Sequence, residues 1–242
     1  METNAQIKTN LKQLRLSSFY DGFEAHINDA VESKMSYSDF LLKLTQDEID
    51  RRKIKKQENL IKRANLGRYH KLMEFDFHYN PEINKQQILQ LASCDFIRRN
   101  ENLILVGPTG VGKTFLAKAI THEACTHGFS AVFIRTMKML ETIYAGRADN
   151  SVQKKMKQYI KPDLLILDDW GLQAFPNHLL EILNEIISER YEQGSIIVTS
   201  NRPLEKWDEL FSEPVVCSAL LDRLFHNAHK ILIKGKSYRK SL

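Results

Sequence analysis

Residues 107–114 read Gly107-Pro108-Thr109-Gly110-Val111-Gly112-Lys113-Thr114, which fits the pattern G-x-x-x-x-G-K-[ST] of a phosphate-binding P-loop. The glycines let successive backbone N–H groups converge on phosphate oxygens at the start of the following helix. We expect Lys113 to reach the β- and γ-phosphates and the Thr114 hydroxyl to ligate Mg²⁺. The predicted ligands are ATP and Mg²⁺, and the predicted nucleotide site is this run together with Phe115.

The residues on either side of the loop have the pattern that a P-loop requires. Residues 102–106 form a short apolar run, and residues 115–120 continue at helical spacing. Strand, loop and helix therefore follow in the expected order. A glycine-rich turn that binds nothing is the alternative, and this order speaks against it. Further strands are predicted at four other runs, namely 131–135, 164–169, 195–201 and 230–234. Together they predict a three-layer α/β fold with a five-stranded parallel sheet.

Two carboxylates follow the apolar run 164–167. Ligands bind at the carboxyl ends of parallel strands, so Asp168 and Asp169 are expected beside the P-loop. We predict that Asp168 holds Mg²⁺ and that Asp169 polarises the attacking water, which makes the chain an ATPase. The alternative is a strand that simply ends in a turn at Gly171.

Composition limits the class of protein. The chain has 242 residues, 43% of them hydrophobic, which suits an ordinary folded core. No apolar run approaches the ~18 residues of a membrane span, and the first residues lack the apolar segment of a signal peptide. We therefore expect a cytoplasmic protein with no membrane partner. The three cysteines lack the C-x-x-C spacing of a zinc site.

Positive charge is unevenly distributed although the net charge is only +5. Residues 51–71 carry nine basic side chains against Glu58 alone. Two further basic segments are Lys154, Lys155, Lys157 and Lys161, and then Lys230, Lys234, Lys236, Arg239 and Lys240. Three basic segments on one nucleotide-binding chain favour nucleic acid as a partner, although any single run is also typical of a solvated helix face.

The first 74 residues are predicted to be helical. Ser36 and Asp39 have the spacing of a capping box, and the basic run extends the helical pattern. We predict a small all-helical domain at 1–74, which contacts DNA, other subunits or a partner protein, and a nucleotide-binding domain at 75–242. Aromatic residues between Phe77 and Ile83 have two candidate roles, contact with the nucleotide base and packing in the core.

The chain resembles the IstB-type ATPases. These are AAA+ helper proteins of bacterial insertion sequences and are related to DnaC-like helicase loaders. The stretches that carry the resemblance are 107–114, 164–171, 195–203, 221–229 and 234–239. The resemblance implies an AAA+ fold without the C-terminal helical lid. It also implies that Asn201 senses the γ-phosphate and that Arg223 is the arginine finger of a neighbouring subunit's site. An arginine in an apolar helix ordinarily forms a salt bridge, here with Asp222 or Glu209.

The function implied by the resemblance is ATP-dependent help in transposition. Such a protein assembles as a homo-oligomer on double-stranded DNA, with ATP sites between subunits that combine Lys113, Asp169 and Asn201 of one chain with Arg223 of the next. It remodels the target DNA and recruits a separate, cognate transposase, and ATP hydrolysis drives its release.

Three other functions share parts of this pattern. A DnaC-like replicative helicase loader has the same chemistry and a different partner. A small-molecule phosphotransferase also uses a P-loop, but residues such as Asn201 and Arg223 speak against it. A nucleotide-switched scaffold with negligible hydrolysis is the third, because Asp169 stands where most AAA+ proteins carry Glu.

Overall fold

The structure of the chain, a computed structural model, describes residues 2–69, 71–235 and 237–238. Lys236, Arg239 and Lys240 of the basic C-terminal segment lie outside these ranges. Two compact units make up the chain, Met1–Asn59 and Leu60–Leu242.

Three helices form the first unit: α1 (Glu2–Gln13), α2 (Ser17–Glu32) and α3 (Tyr37–Arg63), of which α3 continues into the second unit. The predicted capping residues precede α3, where the Ser36 hydroxyl accepts a hydrogen bond from the Asp39 amide at 3.1 Å. Glu48 is buried, and its carboxylate accepts hydrogen bonds from the Ser18 amide at 3.0 Å and from Arg52 Nε at 2.7 Å. A carboxylate of α3 thus caps the start of α2 and fixes two helices of this unit to each other.

The second unit contains, among the described residues, a five-stranded parallel sheet in the order β2-β3-β4-β1-β5. Its strands are β1 (Asn102–Val106), β2 (Ala131–Arg135), β3 (Leu164–Asp168), β4 (Ser195–Ser200) and β5 (Ala228–Leu232). The predicted sheet is confirmed, but the prediction for β5, residues 230–234, began two residues late. As an edge strand, β5 already pairs with β1 at Ala228, before the apolar run that marked it in the sequence.

Helices cover both faces of the sheet because neighbouring strand residues point to opposite sides. Leu103 and Leu105 pack in one core, and Ile104 and Val106 pack in the other. The first face carries α4 (Lys85–Ala92), α5 (Asp95–Arg98) and α6 (Lys113–Thr126). The second face carries α7 (Thr136–Tyr144), α8 (Val152–Ile160), α9 (Asn177–Arg190) and α10 (Pro214–Phe225). The three-layer α/β architecture predicted from the sequence is therefore present.

Residues 60–69 and 71–74 belong to the second unit, whereas the predicted domain boundary lay between residues 74 and 75. Ala64, Leu66 and Leu72 are buried in the core that also contains Leu103. The Phe133 amide of β2 donates a hydrogen bond to the Ala64 carbonyl at 2.8 Å. The two units therefore divide inside α3, a position that an unbroken helical pattern does not mark.

None of the helices in the described ranges combines the length and the apolar character that crossing a bilayer requires.

Candidate nucleotide-binding site

The P-loop joins β1 to α6 and has a backbone that only glycine accommodates at three positions, Gly107, Gly110 and Gly112. Gly112 has φ of 103°, and a Cβ there would lie 2.8 Å from the Phe75 ring. At Gly107 a Cβ would lie 2.1 Å from the Ile233 carbonyl oxygen. The loop therefore makes a tight turn directly before α6, at the helix end where the dipole favours an anion.

Lys113, the first residue of α6, folds back over the loop. Its Nζ donates hydrogen bonds to the carbonyls of Gly107 and Pro108, each at 2.7 Å. The ammonium group is therefore held against the loop, at the start of α6. A positive charge in this position adds to the attraction for an anion.

Asp168, at the carboxyl end of β3, is buried and tied to the P-loop helix. Its Oδ1 accepts hydrogen bonds from Thr114 Oγ1 at 2.9 Å and from Thr199 Oγ1 at 2.6 Å. Burial raises the pKa of Asp168 above its ordinary value, and these two hydrogen bonds oppose that rise. The two residues predicted to ligate a metal are thus within hydrogen-bond distance of each other.

The oxygens of Thr114 and Asp168 suit a hard cation such as Mg²⁺. Within the described ranges, no cluster of three or more His, Cys, Asp or Glu side chains forms a cage for a metal. Such a sparse donor set fits Mg²⁺, which usually takes one or two protein ligands together with substrate phosphates and water.

Asp169 is exposed and has a left-handed backbone with φ of 56°. Its carboxylate Oδ2 lies 3.4 Å from Nε of Arg135, the last residue of β2. Its amide donates a hydrogen bond to Thr199 Oγ1 at 3.2 Å. The Thr199 hydroxyl therefore contacts both aspartates, a role that sequence reasoning missed because a threonine near the end of a strand is common for its β propensity alone.

Asn201 lies at the same edge of the sheet, directly after β4, and is exposed. The preceding residue, Ser200, accepts a hydrogen bond at its carbonyl from the Gly107 amide at 3.1 Å. The chain thus brings Asn201 next to the first residue of the P-loop.

Arg223 is the one predicted site residue that lies elsewhere. It lines a cavity of about 220 Å³ together with Asn102 and Ile196, at the amino ends of β1 and β4. The P-loop follows the opposite end of β1, a strand about 13 Å long at roughly 3.3 Å per residue. Arg223 Nη1 donates a hydrogen bond to the Ala219 carbonyl at 3.2 Å, and Glu209, a suggested partner, pairs with Arg202 at 3.2 Å.

A cavity of about 340 Å³ opens beside the P-loop. Its lining residues are Glu74, Phe75, Asp76, Gly110, Gly112, Lys113, Thr114, Phe115 and Tyr238. Residues 74–76 thus border the cavity, whereas Phe77 packs edge-on against Phe75 with 4.9 Å between ring centroids. Sequence reasoning missed Tyr238 as a lining residue, because it joins the P-loop only through long-range packing.

The family model described as "IstB-like ATP binding protein" matches residues 9–242. An insertion sequence IS232 ATP-binding protein of Bacillus thuringiensis subsp. berliner is 34% identical over 97% of this chain and 94% of its own length. A counterpart from an insertion sequence of Mycobacterium tuberculosis is 35% identical over 96% of this chain and 93% of its own length. The insertion sequence IS21 ATP-binding protein of Pseudomonas aeruginosa is 32% identical over 97% of this chain and 88% of its own length.

Solved structures with a similar fold come from replication proteins. The DnaC helicase loader superposes with a TM-score of 0.54 at 22% identity and covers 71% of this chain and 97% of its own. AMPPCP-bound DnaA from Aquifex aeolicus superposes with a TM-score of 0.57 at 18% identity, over 71% of this chain and 51% of its own. At such low identity the likeness shows the fold alone, a three-layer α/β fold.

Proposed function

This chain belongs to the family of IstB-like ATP binding proteins, and from that premise we propose that it is the ATPase helper of an insertion sequence. It binds ATP and Mg²⁺, assembles as an oligomer on double-stranded DNA, remodels that DNA and recruits a separate transposase. Hydrolysis of ATP to ADP and phosphate then drives its release. The observation that carries this proposal is the convergence of Lys113, Thr114 and Asp168 at one edge of the sheet, in a chain that matches insertion-sequence ATP-binding proteins over nearly its whole length.

We assign phosphate binding to the P-loop, residues 107–115. The backbone N–H groups at the start of α6 hold phosphate oxygens, and Lys113 exchanges its two carbonyl acceptors for the β- and γ-phosphates. Thr114 and Asp168 would hold Mg²⁺, which, when bound, neutralises the charge that develops on the phosphate oxygens during transfer.

Hydrolysis requires a water molecule oriented toward the γ-phosphate. We assign this task to Asp169, whose exposed carboxylate stands at the same sheet edge as the P-loop. Its ion pair with Arg135 joins two exposed side chains, so it is weak and leaves the carboxylate available. Asn201 is assigned to the γ-phosphate because it adjoins Gly107 through the contact made by Ser200.

Arg223 supports the proposal that ATP sites lie between subunits. Because it lies at the amino ends of β1 and β4, it stands too far from its own P-loop to contact the same nucleotide. In a neighbouring subunit's site, a guanidinium group stabilises the negative charge of the transition state. ATP would therefore favour assembly, since the bound nucleotide links two chains.

Exposed cations support DNA as the ligand of the assembly. On α8, Met156 and Tyr159 are buried, while Lys154, Lys157 and Lys161 at its outer side and end are exposed. In the N-terminal unit, a cavity of about 590 Å³ is bordered by five basic residues, namely Lys12 of α1, Arg15 of the turn after α1, and Arg51, Arg52 and Lys55 of α3. Such surfaces bind phosphates without reading the base sequence.

The N-terminal unit also leaves many apolar side chains exposed. Leu11 and Phe23 are buried, whereas the exposed set includes Leu14, Val31, Tyr37, Leu41, Leu42 and Ile49. Exposed apolar groups that adjoin one another are typical of protein-binding surfaces. They support docking of this unit on another subunit or on the transposase.

Sedimentation of the purified protein with ATP, ADP or a slowly hydrolysed ATP analogue, each with and without duplex DNA, tests the proposal. We expect large DNA-bound assemblies only with a triphosphate, none with Lys113→Ala, and stable ones with Asp169→Asn. Equal DNA binding by wild type and Lys113→Ala, regardless of ATP, would contradict the coupling of ATP to assembly. Capture of a replicative helicase in place of a transposase would identify a helicase loader instead.

A further inference from the structure

The segment after β5 returns to the P-loop. The Tyr238 amide donates a hydrogen bond to the Gly110 carbonyl at 3.0 Å. A Cβ on Gly110 would lie 2.1 Å from the Ser237 hydroxyl oxygen, so residues 237 and 238 pack directly on the backbone of the loop. The end of the described chain is thus part of the wall of the nucleotide site.

The Tyr238 ring is held in place on two sides. It stacks on the Tyr79 ring with 3.9 Å between centroids and 29° between planes. Its hydroxyl donates a hydrogen bond to the Asp76 carbonyl at 2.5 Å, and the Tyr79 hydroxyl donates one to the Ser237 carbonyl at 3.0 Å. Burial raises the pKa of the Tyr238 phenol, which keeps it a neutral donor. The ring is therefore a fixed surface.

The cavity of about 340 Å³ beside the P-loop has both polar and aromatic lining. Lys113 and Thr114 line it where phosphates are expected, and the rings of Phe75, Phe115 and Tyr238 line it as well. Its volume is within the range of about 300–1,000 Å³ that is typical of ligand pockets. These three rings are the aromatic groups of the cavity lining that a nucleoside attached to the phosphates could contact.

We propose that Tyr238 is a base-binding residue of the nucleotide site, whose ring face or edge contacts the purine of the bound nucleotide. This inference rests on the proposed binding of ATP at the P-loop. Because an aromatic face offers no pattern of donors and acceptors, it contributes affinity for a purine and does not distinguish adenine from guanine.

Titration calorimetry on the full-length protein tests this proposal. It compares the binding of ATP, GTP and inorganic tripolyphosphate to wild type, Tyr238→Ala and Tyr238→Phe. In Tyr238→Ala we expect the affinity for both nucleotides to fall about 5- to 150-fold, as for the loss of one base-stacking contact, with tripolyphosphate binding within about twofold of wild type. Tyr238→Phe keeps the ring and should bind ATP within about threefold of wild type. The matched control is Tyr144→Ala, which removes a tyrosine that packs on His178, outside the cavity lining.

Two results would overturn the proposed base contact without refuting the binding of ATP by the wild-type protein. One is wild-type ATP affinity in Tyr238→Ala, and the other is an equal loss of ATP and tripolyphosphate binding, which would make Tyr238 a support of the loop alone. Should Tyr238→Ala fail to fold, Tyr238→Leu keeps apolar volume without a ring and is expected to lose nucleotide affinity in the same way. A wild-type protein that binds no ATP would refute the proposed function itself.

Discussion

Replacing Thr199 by valine tests whether its hydroxyl organises the two aspartates. Valine keeps the shape of threonine and removes the hydroxyl that donates to Asp168 at 2.6 Å and accepts from the Asp169 amide at 3.2 Å. Since the hydrogen bond from Thr199 lowers the pKa of Asp168, the substitution raises that pKa further. The Asp168 carboxyl group then ionises less readily, and only the hydrogen bond from Thr114 still fixes its Oδ1 in place.

The expected loss follows from the kind of hydrogen bond removed. A hydrogen bond to a charged group contributes about 1.5–3 kcal/mol, which corresponds to about 10- to 150-fold in an equilibrium constant. Residues that orient metal ligands typically change metal affinity about 10- to 100-fold when they are replaced. We therefore expect Thr199→Val to weaken the binding of ATP in the presence of Mg²⁺ by about 10- to 100-fold, and more strongly at low pH.

Calorimetric titration of ATP at saturating Mg²⁺, at two pH values, measures this effect. Thr199→Ser keeps the hydroxyl and is expected to stay within about threefold of wild type. Thr121→Val is the matched control, because the buried Thr121 hydroxyl donates only to the Ala117 carbonyl within α6, at 2.7 Å. If a folded Thr199→Val bound ATP within twofold of wild type, or if serine and valine weakened binding equally, the reasoning would be refuted.

Two further substitutions separate stability, chemistry and assembly. Asp168→Asn is expected to weaken Mg²⁺-dependent ATP binding and yet raise the melting temperature at neutral pH. The raised pKa means that the native chain binds more protons than the unfolded chain between the ordinary and the raised value, so stability falls as the pH rises through that window and stays lower above it. If scanning calorimetry showed no rise in the melting temperature of Asp168→Asn, the prediction would be contradicted. Arg223→Ala should bind ATP within about twofold of wild type but hydrolyse it about 10³-fold more slowly. A mixture with Asp169→Asn should exceed either variant alone in turnover, and failure to do so would speak against shared sites.

Local patterns in the sequence were enough to predict the sheet, and they also led to the proposed nucleotide site. Glycines, Lys113 and Thr114 at fixed spacing specify a loop whose chemistry depends on neighbours in the chain. Apolar runs that end in polar residues specify buried strands, and parallel strands bring their carboxyl ends together. For this reason Asp168 is expected beside the P-loop from its place after a buried strand, whereas the assignment of Asn201 comes from the resemblance to AAA+ proteins.

The tertiary structure alone decided the contacts between residues that lie far apart in the chain. Thr199 donates a hydrogen bond to Asp168, 31 residues away in the sequence, and Tyr238 donates one to Asp76, 162 residues away. The start of β5 depended on its partner strand, and the division of the chain inside α3 depended on where Ala64 is buried. Each of these features follows from packing that brings distant residues together, and neither the period nor the composition of a short stretch contains that information.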